Sequence, residues 1–456
     1  MLHEEDEDDK HTSEIVLENK AIAVKKVHIS GLNRTKADFV INEIKPLFNS
    51  TTFLEAYTKA ILCKERLLAK GVFKQVGVII DTIDPQKGDD TENIQVVFKA
   101  KEKNVVVGEV KTEMSNSEKP RWVMRILSPN IWGRGETLSA SVSHTLSSHT
   151  QKHIYEPTDF QFALNKPYGK GNIQATMFKE MQHCLWSSYN ETTRGIAVGT
   201  TFPLLGNNHE ISWNCNWREL MASRSSAFAV RQQMGHSLKS SINHTLVVDR
   251  SDDYILPSSG FYFKMHEELA GLGGDVRFVK EFIECHLATT LFKRITVSLG
   301  INCGLKLPLG KDTKQHINDN FFIGGPLTLR GFEVNSVGKQ EAGSYLGSTA
   351  FWVLGGHVYT PLPFYWSRFG HGSWLDNFRI HGFLNAGNLI DLDVKKTAKS
   401  NVTNALTDIR FTCGLGLVYR FMRSARLELN FCFPIRAAKT DKVCDGIQFG
   451  IGVSSI

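Results

Sequence analysis

A period of two governs the last fifty residues of this chain and limits what it can fold into more than any other feature. Phe411, Cys413, Leu415, Leu417 and Tyr419, then Leu427, Leu429, Phe431 and Phe433, then Ile447, Phe449, Ile451 and Val453 are apolar. Between them stand Thr, Gly, Glu, Asn, Gln and Ser. Successive side chains of a strand point to opposite faces, so each segment has one greasy face. The other face holds few charges and many small residues, which suits a crowded or water-filled interior better than the exterior of a soluble sheet. These segments read as the closing strands of a transmembrane β-barrel.

Average hydropathy is blind to such a fold. The hydrophobic fraction is 41% and the mean hydropathy -0.20, because half of every barrel strand faces the lumen. No stretch approaches the roughly 18 apolar residues of a spanning helix. Glu4, Glu5, Asp6, Glu7, Asp8 and Asp9 occupy the place where a secretory signal needs a basic and then an apolar region, and where a mitochondrial presequence is Arg-rich, so neither cleavable signal is expected. The net charge is +6, and about +12 without the acidic first fourteen residues. The Lys and Arg form no tract or helix-face cluster, so the basicity fits lipid headgroups or lumen solvation rather than nucleic acid. The eight cysteines are scattered without metal-ligand spacing, and Cys303 and Cys413 sit in apolar registers as small hydrophobes. There is no H-E-x-x-H, G-x-S-x-G or P-loop, hence no argument for an enzyme, a metal or a cofactor.

With 456 residues, one small domain beside a large one is expected. Residues 1–20 read as an acidic disordered tail. Residues 21–103 read as a compact α+β unit of order β-α-α-β-β. It has a strand at Ile22–Ile29 and a helix opened by Thr35 and Asp38 as a capping box, with Val40, Ile44 and Leu47 buried. A second helix carries Leu54, Tyr57, Ile61 and Leu68 to a stop at Gly71, and strands follow near Gln75–Ile83 and Ile94–Lys101 around a turn-rich Asp84–Asn93. Residues 104–456 read as the barrel, with about sixteen strand-like segments from 105–114 to 444–454. Trp122, Trp132, Trp186, Tyr189, Trp213, Tyr254, Trp352, Tyr359 and Trp366 lie toward segment ends, as interfacial girdles require. One gap, about 307–342, is far too long for a hairpin. Its Phe321-Phe322-Ile323-Gly324-Gly325-Pro326-Leu327-Thr328-Leu329-Arg330-Gly331-Phe332 is a poor composition for a solvated loop and predicts packing inside the barrel.

The F-x-G-G-x4-R-G-F segment in this loop, the β-α-α-β-β module before the first strand and the alternating last strand resemble the BamA-type outer-membrane barrel insertase superfamily. The module looks like a POTRA domain, whose Gly-x-aromatic step is matched by Gly71-Val72-Phe73. A single module without a signal makes the chain most similar to the core-barrel family of the mitochondrial sorting and assembly machinery. Gly133-Arg134-Gly135-Glu136 resembles the family's G-R-G-E turn after strand two. The fold implied is mainly β, a transmembrane antiparallel barrel of about sixteen strands after one POTRA domain.

The resemblance implies insertion of β-barrel precursors such as porin and the import channel into the mitochondrial outer membrane, with accessory subunits and membrane lipid as further partners. The POTRA domain and C-terminus would face the intermembrane space. It implies a loop motif of Phe322, Gly324, Gly325, Leu329, Arg330, Gly331 and Phe332 that meets a strand motif at Phe383, Asn385 and Gly387. Asn385 replaces the acid that faces the loop arginine in bacterial relatives, so the ion pair gives way to a neutral-acceptor hydrogen bond from Arg330 to Asn385, with Glu333 or Glu341 as its charge partner. It also implies a lateral gate between the first and last strands at Val105, Val107, Gly108, Val110, Gln448, Gly450 and Val453, where clients pair by β-augmentation. A translocation or metabolite channel of the same architecture is the alternative. A soluble β-rich scaffold is a third reading, opposed by the aromatic placement and the small-residue inner face.

Overall fold

The computed structural model describes residues 21–83, 92–116, 120–145, 158–292, 294–310, 315–362, 374–392, 406–421 and 425–452. The acidic tail, most of the turn at 84–93, Trp366 and Val453 lie outside them. Two compact units are present, Met1–Val107 with Leu127–Leu138, and Gly108–Ile126 with Ser139–Ile456.

In the first unit β1 (Ile22–Ser30), α1 (Ala37–Ile44), α2 (Phe53–Ala69), β2 (Phe73–Thr82) and β3 (Glu92–Glu102) form a three-stranded sheet of order β1-β3-β2, with β1 parallel to β3. Val40, Ile44, Leu47, Val96 and Phe98 close its core. Two sequence expectations need correction. The buried face of α2 is Ala56, Ala60, Cys63 and Leu67, while Leu54 and Tyr57 are exposed, because small residues let the helix approach the sheet closely. Thr35 does not cap α1; Lys36 holds that position and makes no side-chain cap. The capping box is at α2, where Thr52 accepts from Glu55 N–H and Glu55 accepts from Thr51 N–H.

Thr35 instead donates to Glu102, which also accepts from the N–H groups of Asn33, Arg34 and Thr35. Burial raises the Glu102 pKa, but these donors outweigh it and hold the carboxyl below its ordinary value. The G-R-G-E turn belongs to this unit. Lys36 N–H donates to the Gly133 carbonyl at 2.8 Å, Arg134 pairs with Asp38 at 2.8 Å, and Asn130 donates to Thr35. Gly133 has φ +87°, and a Cβ there would stand 2.5 Å from the Arg34 carbonyl oxygen.

Most of the second unit belongs to one antiparallel sheet of sixteen strands. They are β4 (Val107–Glu113), β5 (Arg121–Pro129), β6 (Thr137–Thr145), β7 (Thr158–Tyr168), β8 (Gly171–Cys184), β9 (Tyr189–Leu204), β10 (Asn207–Ala222) and β11 (Gly235–Asp249). Then follow β12 (Gly260–Gly274), β13 (Phe278–Leu291), β14 (Ile295–Pro308), β17 (Ala350–Pro361), β18 (Phe378–Ile390), β19 (Arg410–Phe421), β20 (Ala425–Arg436) and β21 (Gly446–Gly452). The pair β15 (Gln340–Glu341) and β16 (Ser344–Tyr345) is a small ladder in the loop between β14 and β17. Each strand is a neighbour of the next, and β4 and β21 end the order.

The faces are inverted relative to a soluble protein. Leu415, Phe431, Phe433, Ile447 and Phe449 are exposed, Ile447 at 70%, while Thr412, Glu428, Asn430 and Gln448 on the opposite face are buried. Apolar outside and polar inside is the arrangement lipid selects. No helix among the described residues is long and apolar enough to cross a membrane. Trp132, Trp213 and Tyr254 are exposed, but Tyr189 and Tyr359 are buried and Trp186 packs against Phe322 of the long loop, so these three do not form a girdle.

Candidate functional site

Two features stand out in the barrel: the loop between β14 and β17, and the seam between β4 and β21.

The loop runs from Leu309 to Thr349 and is held at two places. Its motif docks on the C-terminal wall. Arg330, 1% exposed, donates three hydrogen bonds of 2.9 to 3.1 Å to the carboxylate of Glu428 on β20, which is fully buried. Arg426 Nε lies 2.9 Å from the same carboxylate as a second ion pair, and Asn430 donates to it at 2.9 Å. The charge partner of Arg330 is therefore Glu428, not Glu333 or Glu341. Glu333 is exposed, 3.7 Å from Lys442, and Glu341 is exposed on β15. Glu428 alternates with Leu427 and Leu429, so the lumen parity of β20 was the available signal.

The predicted strand motif does meet the loop. The Arg330 guanidinium sits 5.5 Å over the Phe383 ring, and Asn385 donates to the Thr328 carbonyl at 3.1 Å. A Cβ at Gly387 would touch Leu329. Asn385 thus anchors the loop two residues from Arg330 rather than binding the guanidinium. Leu329 and Phe332 are fully buried, as packing anchors should be. Gly324, Gly325 and Gly331 all have positive φ, and a Cβ at Gly324 would stand 2.5 Å from the Glu333 carbonyl oxygen, so turn geometry and close approach both demand glycine there. Phe322 packs instead against Trp186, beyond the docked motif.

The sequence did not reveal the second anchor. Asp319 lies in a ring of cations from the opposite strands. Arg218 on β10 binds it through two hydrogen bonds of 2.7 and 3.2 Å, Lys239 on β11 is 3.5 Å away, and Lys280 on β13 donates to its backbone carbonyl. Lys306 on β14 donates to Asn320. Burial opposes the Asp319 charge, but Arg218 and Lys239 override it and hold the carboxyl below the usual range. Further along, Tyr345 and Ser344 bind Trp186, Ser187 and Ala227, and Gly338 N–H donates to Asp441. The loop therefore runs through the interior between two walls.

At the seam the predicted gate residues divide. Val107, Gly108 and Val110 lie on β4, whereas Val105 precedes it and its carbonyl accepts from Ser128. Gln448 and Gly450 face the lumen and bind the loop. Gln448 accepts from Gly331 N–H at 3.0 Å and donates to the Phe332 carbonyl at 2.8 Å, and a Cβ at Gly450 would stand 2.7 Å from Pro326. Among the described residues no backbone ladder joins β4 to β21. Asn116, in the turn after β4, reaches across: Oδ1 accepts from Ile451 N–H at 2.9 Å and Nδ2 donates to the Ile451 carbonyl at 2.8 Å.

A sixteen-stranded barrel with an apolar exterior, a lumen-filling loop tied by Arg330 to the penultimate strand and a seam without a continuous ladder among the described residues defines a membrane β-barrel of the Omp85 type. Residues 130–454 match the model of the Omp85 superfamily domain. The chain is 38% identical over 443 residues to the sorting and assembly machinery component 50 homologs of Bos taurus and Homo sapiens, covering 96% of this chain and 91% of each relative. Among solved structures, BamA from Haemophilus ducreyi lacking POTRA domains 1–3 superposes with a TM-score of 0.74 at 16% identity, covering 95% of this chain and 84% of that one. The chain belongs to the Omp85 superfamily, in the family of the sorting and assembly machinery component 50 homologs.

Proposed function

We propose that this protein inserts and folds β-barrel precursors, such as porin and the import channel, into the mitochondrial outer membrane, working with accessory subunits of a sorting and assembly complex. The observation that carries this reading is the seam, where the first and last strands share no described backbone ladder. A nascent strand entering hydrocarbon carries unpaired N–H and C=O groups that each cost several kcal/mol. An edge strand supplies partners for them by β-augmentation, so β4 serves as the template at a lateral gate that includes Val107, Gly108 and Val110. No bond is made or broken, so the work is templating rather than chemistry.

The loop crossing the interior counts against the channel reading. Sixteen strands support an orientation in which the POTRA-like module, residues 21–103, and the C-terminus share the intermembrane-space side. The test is depletion followed by import of radiolabelled porin precursor. Accumulation of unassembled precursor supports insertion, whereas normal porin assembly in depleted membranes overturns it.

A further inference from the structure

We infer that Asn116 is a latch on the seam, its carboxamide occupying on β21 the place of one residue of an incoming strand; this rests on the lateral-gate reading above. In an antiparallel ladder a hydrogen-bonded residue gives one N–H and takes one, through groups on the same edge. Asn116 makes this pair of bonds with Ile451, one accepted and one donated. It lies three residues beyond the end of β4, so a side chain does here what, among the described residues, the backbone of β4 does not.

The register defines the edge it guards. Because the Ile451 groups point at Asn116, the alternation of the ladder turns the N–H and C=O of Ile447 and Phe449 to the same side, and those of Gln448 and Gly450 toward Asn430 and Glu428 of β20. The seam edge of β21 is therefore Ile447, Phe449 and Ile451, and the occupant it fits is an extended chain. A carboxamide presents a donor and an acceptor side by side, whereas a carboxylate only accepts and would repel the Ile451 carbonyl. Two hydrogen bonds from one side chain are strong enough to close an edge and weak enough for a strand to displace.

The test uses the full chain in lipid nanodiscs. In N116A the Ile451 amide should exchange about ten- to a hundredfold faster, as loss of two hydrogen bonds requires, while the amides of Gln448 and Gly450, bonded to β20, stay as protected as in the unmodified chain. N116D, which keeps the acceptor and loses the donor, should fall between the two. Unchanged exchange at Ile451 in N116A overturns the latch. A second arm offers a benzophenone-labelled peptide copying residues 446–454, with a scrambled copy as control. Severalfold greater crosslinking in N116A, mapped to Ile447–Ile451 of β21, supports a latch guarding that strand-accepting edge. Faster exchange at Ile451 with no capture of the peptide by either protein leaves the latch standing and counts against lateral-gate templating instead.

Discussion

Replacing Arg330 by Ala tests how the loop is held. Arg330 and Glu428 are both buried, and removing one partner of such a pair costs about 3–5 kcal/mol because the other charge is left behind. Glu428 would keep the Arg426 ion pair and the Asn430 hydrogen bond, which puts the loss at the lower end, about 3 kcal/mol. At about 1.4 kcal/mol per decade, transient release of the motif becomes roughly a hundredfold more frequent. Glu428→Gln should cost more, about 5 kcal/mol, since it strands two buried guanidinium groups around a neutral amide. The double change Arg330→Ala with Glu428→Ala should cost less than the sum. Amide exchange at Gly331, Glu333 and Cys444 reads the effect, because these N–H groups bond Gln448, Lys442 and Gly331 across the docked motif. Glu333→Ala, at an exposed pair, is the control. If Arg330→Ala exchanges no faster than that control, or if Glu428→Gln is milder than Arg330→Ala, the shared-carboxylate account is wrong. On the proposed function, client maturation slows in proportion to loop release.

The other anchor predicts a complementary result: Asp319→Asn should speed exchange at Phe321 and Ser348, whose backbones pair, at a cost of about 3 kcal/mol, and leave Gly331 nearly unchanged. Gly450→Val should displace Pro326 and destabilise the docked loop by about 1–3 kcal/mol, seen as earlier heat-induced loss of the compact gel band, whereas Gly108→Val, where a Cβ would meet nothing within 4 Å, should not. The first unit should weaken in acid. Glu102 has a folded pKa below its unfolded value, so its contribution is present above the unfolded pKa and is lost as pH falls through the folded one. Pulse proteolysis should show this acid loss in the native chain and a flatter profile in Glu102→Gln.

Strands and loop were legible in the sequence because each has a local signature. A period of two with apolar residues on the lipid side marks a strand without knowledge of its neighbours, and the gap at about 307–342 marks a loop that must go somewhere. Partners were harder. Asn385 was the expected seat for Arg330 by analogy, but Glu428 holds it, and choosing between two lumen-facing positions requires knowing how the loop crosses the interior. Asp319 was invisible for the same reason, since Arg218, Lys239, Lys280 and Lys306 are spread over ninety residues and converge only when their strands curl together. The α2 stripe misled because Leu54 and Tyr57 have the right spacing, yet the sheet accepts Ala56 and Ala60, whose small size allows closer packing.

Among the described residues, the two edges of β21 are held very differently. Its ladder with β20 runs from Gly446 to Gly452, and on its inner face Gln448 grips Gly331 and Phe332 while Gly450 abuts Pro326. Through Arg330 and Glu428 the same loop is tied to β20, so loop, β20 and β21 brace one another as a single wall. On its other edge, among the described residues, Asn116 joins β21 to the turn after β4. Separating β21 from β20 breaks a full ladder and releases the loop; separating it from β4 breaks the two described bonds at Ile451. A sheet under lateral strain parts where the fewest hydrogen bonds are lost, and the braced wall directs that parting to the seam. On the proposed function, filling the lumen with the loop and leaving the seam lightly closed are two sides of one construction, in which stiffness behind the last strand sets where the barrel would open.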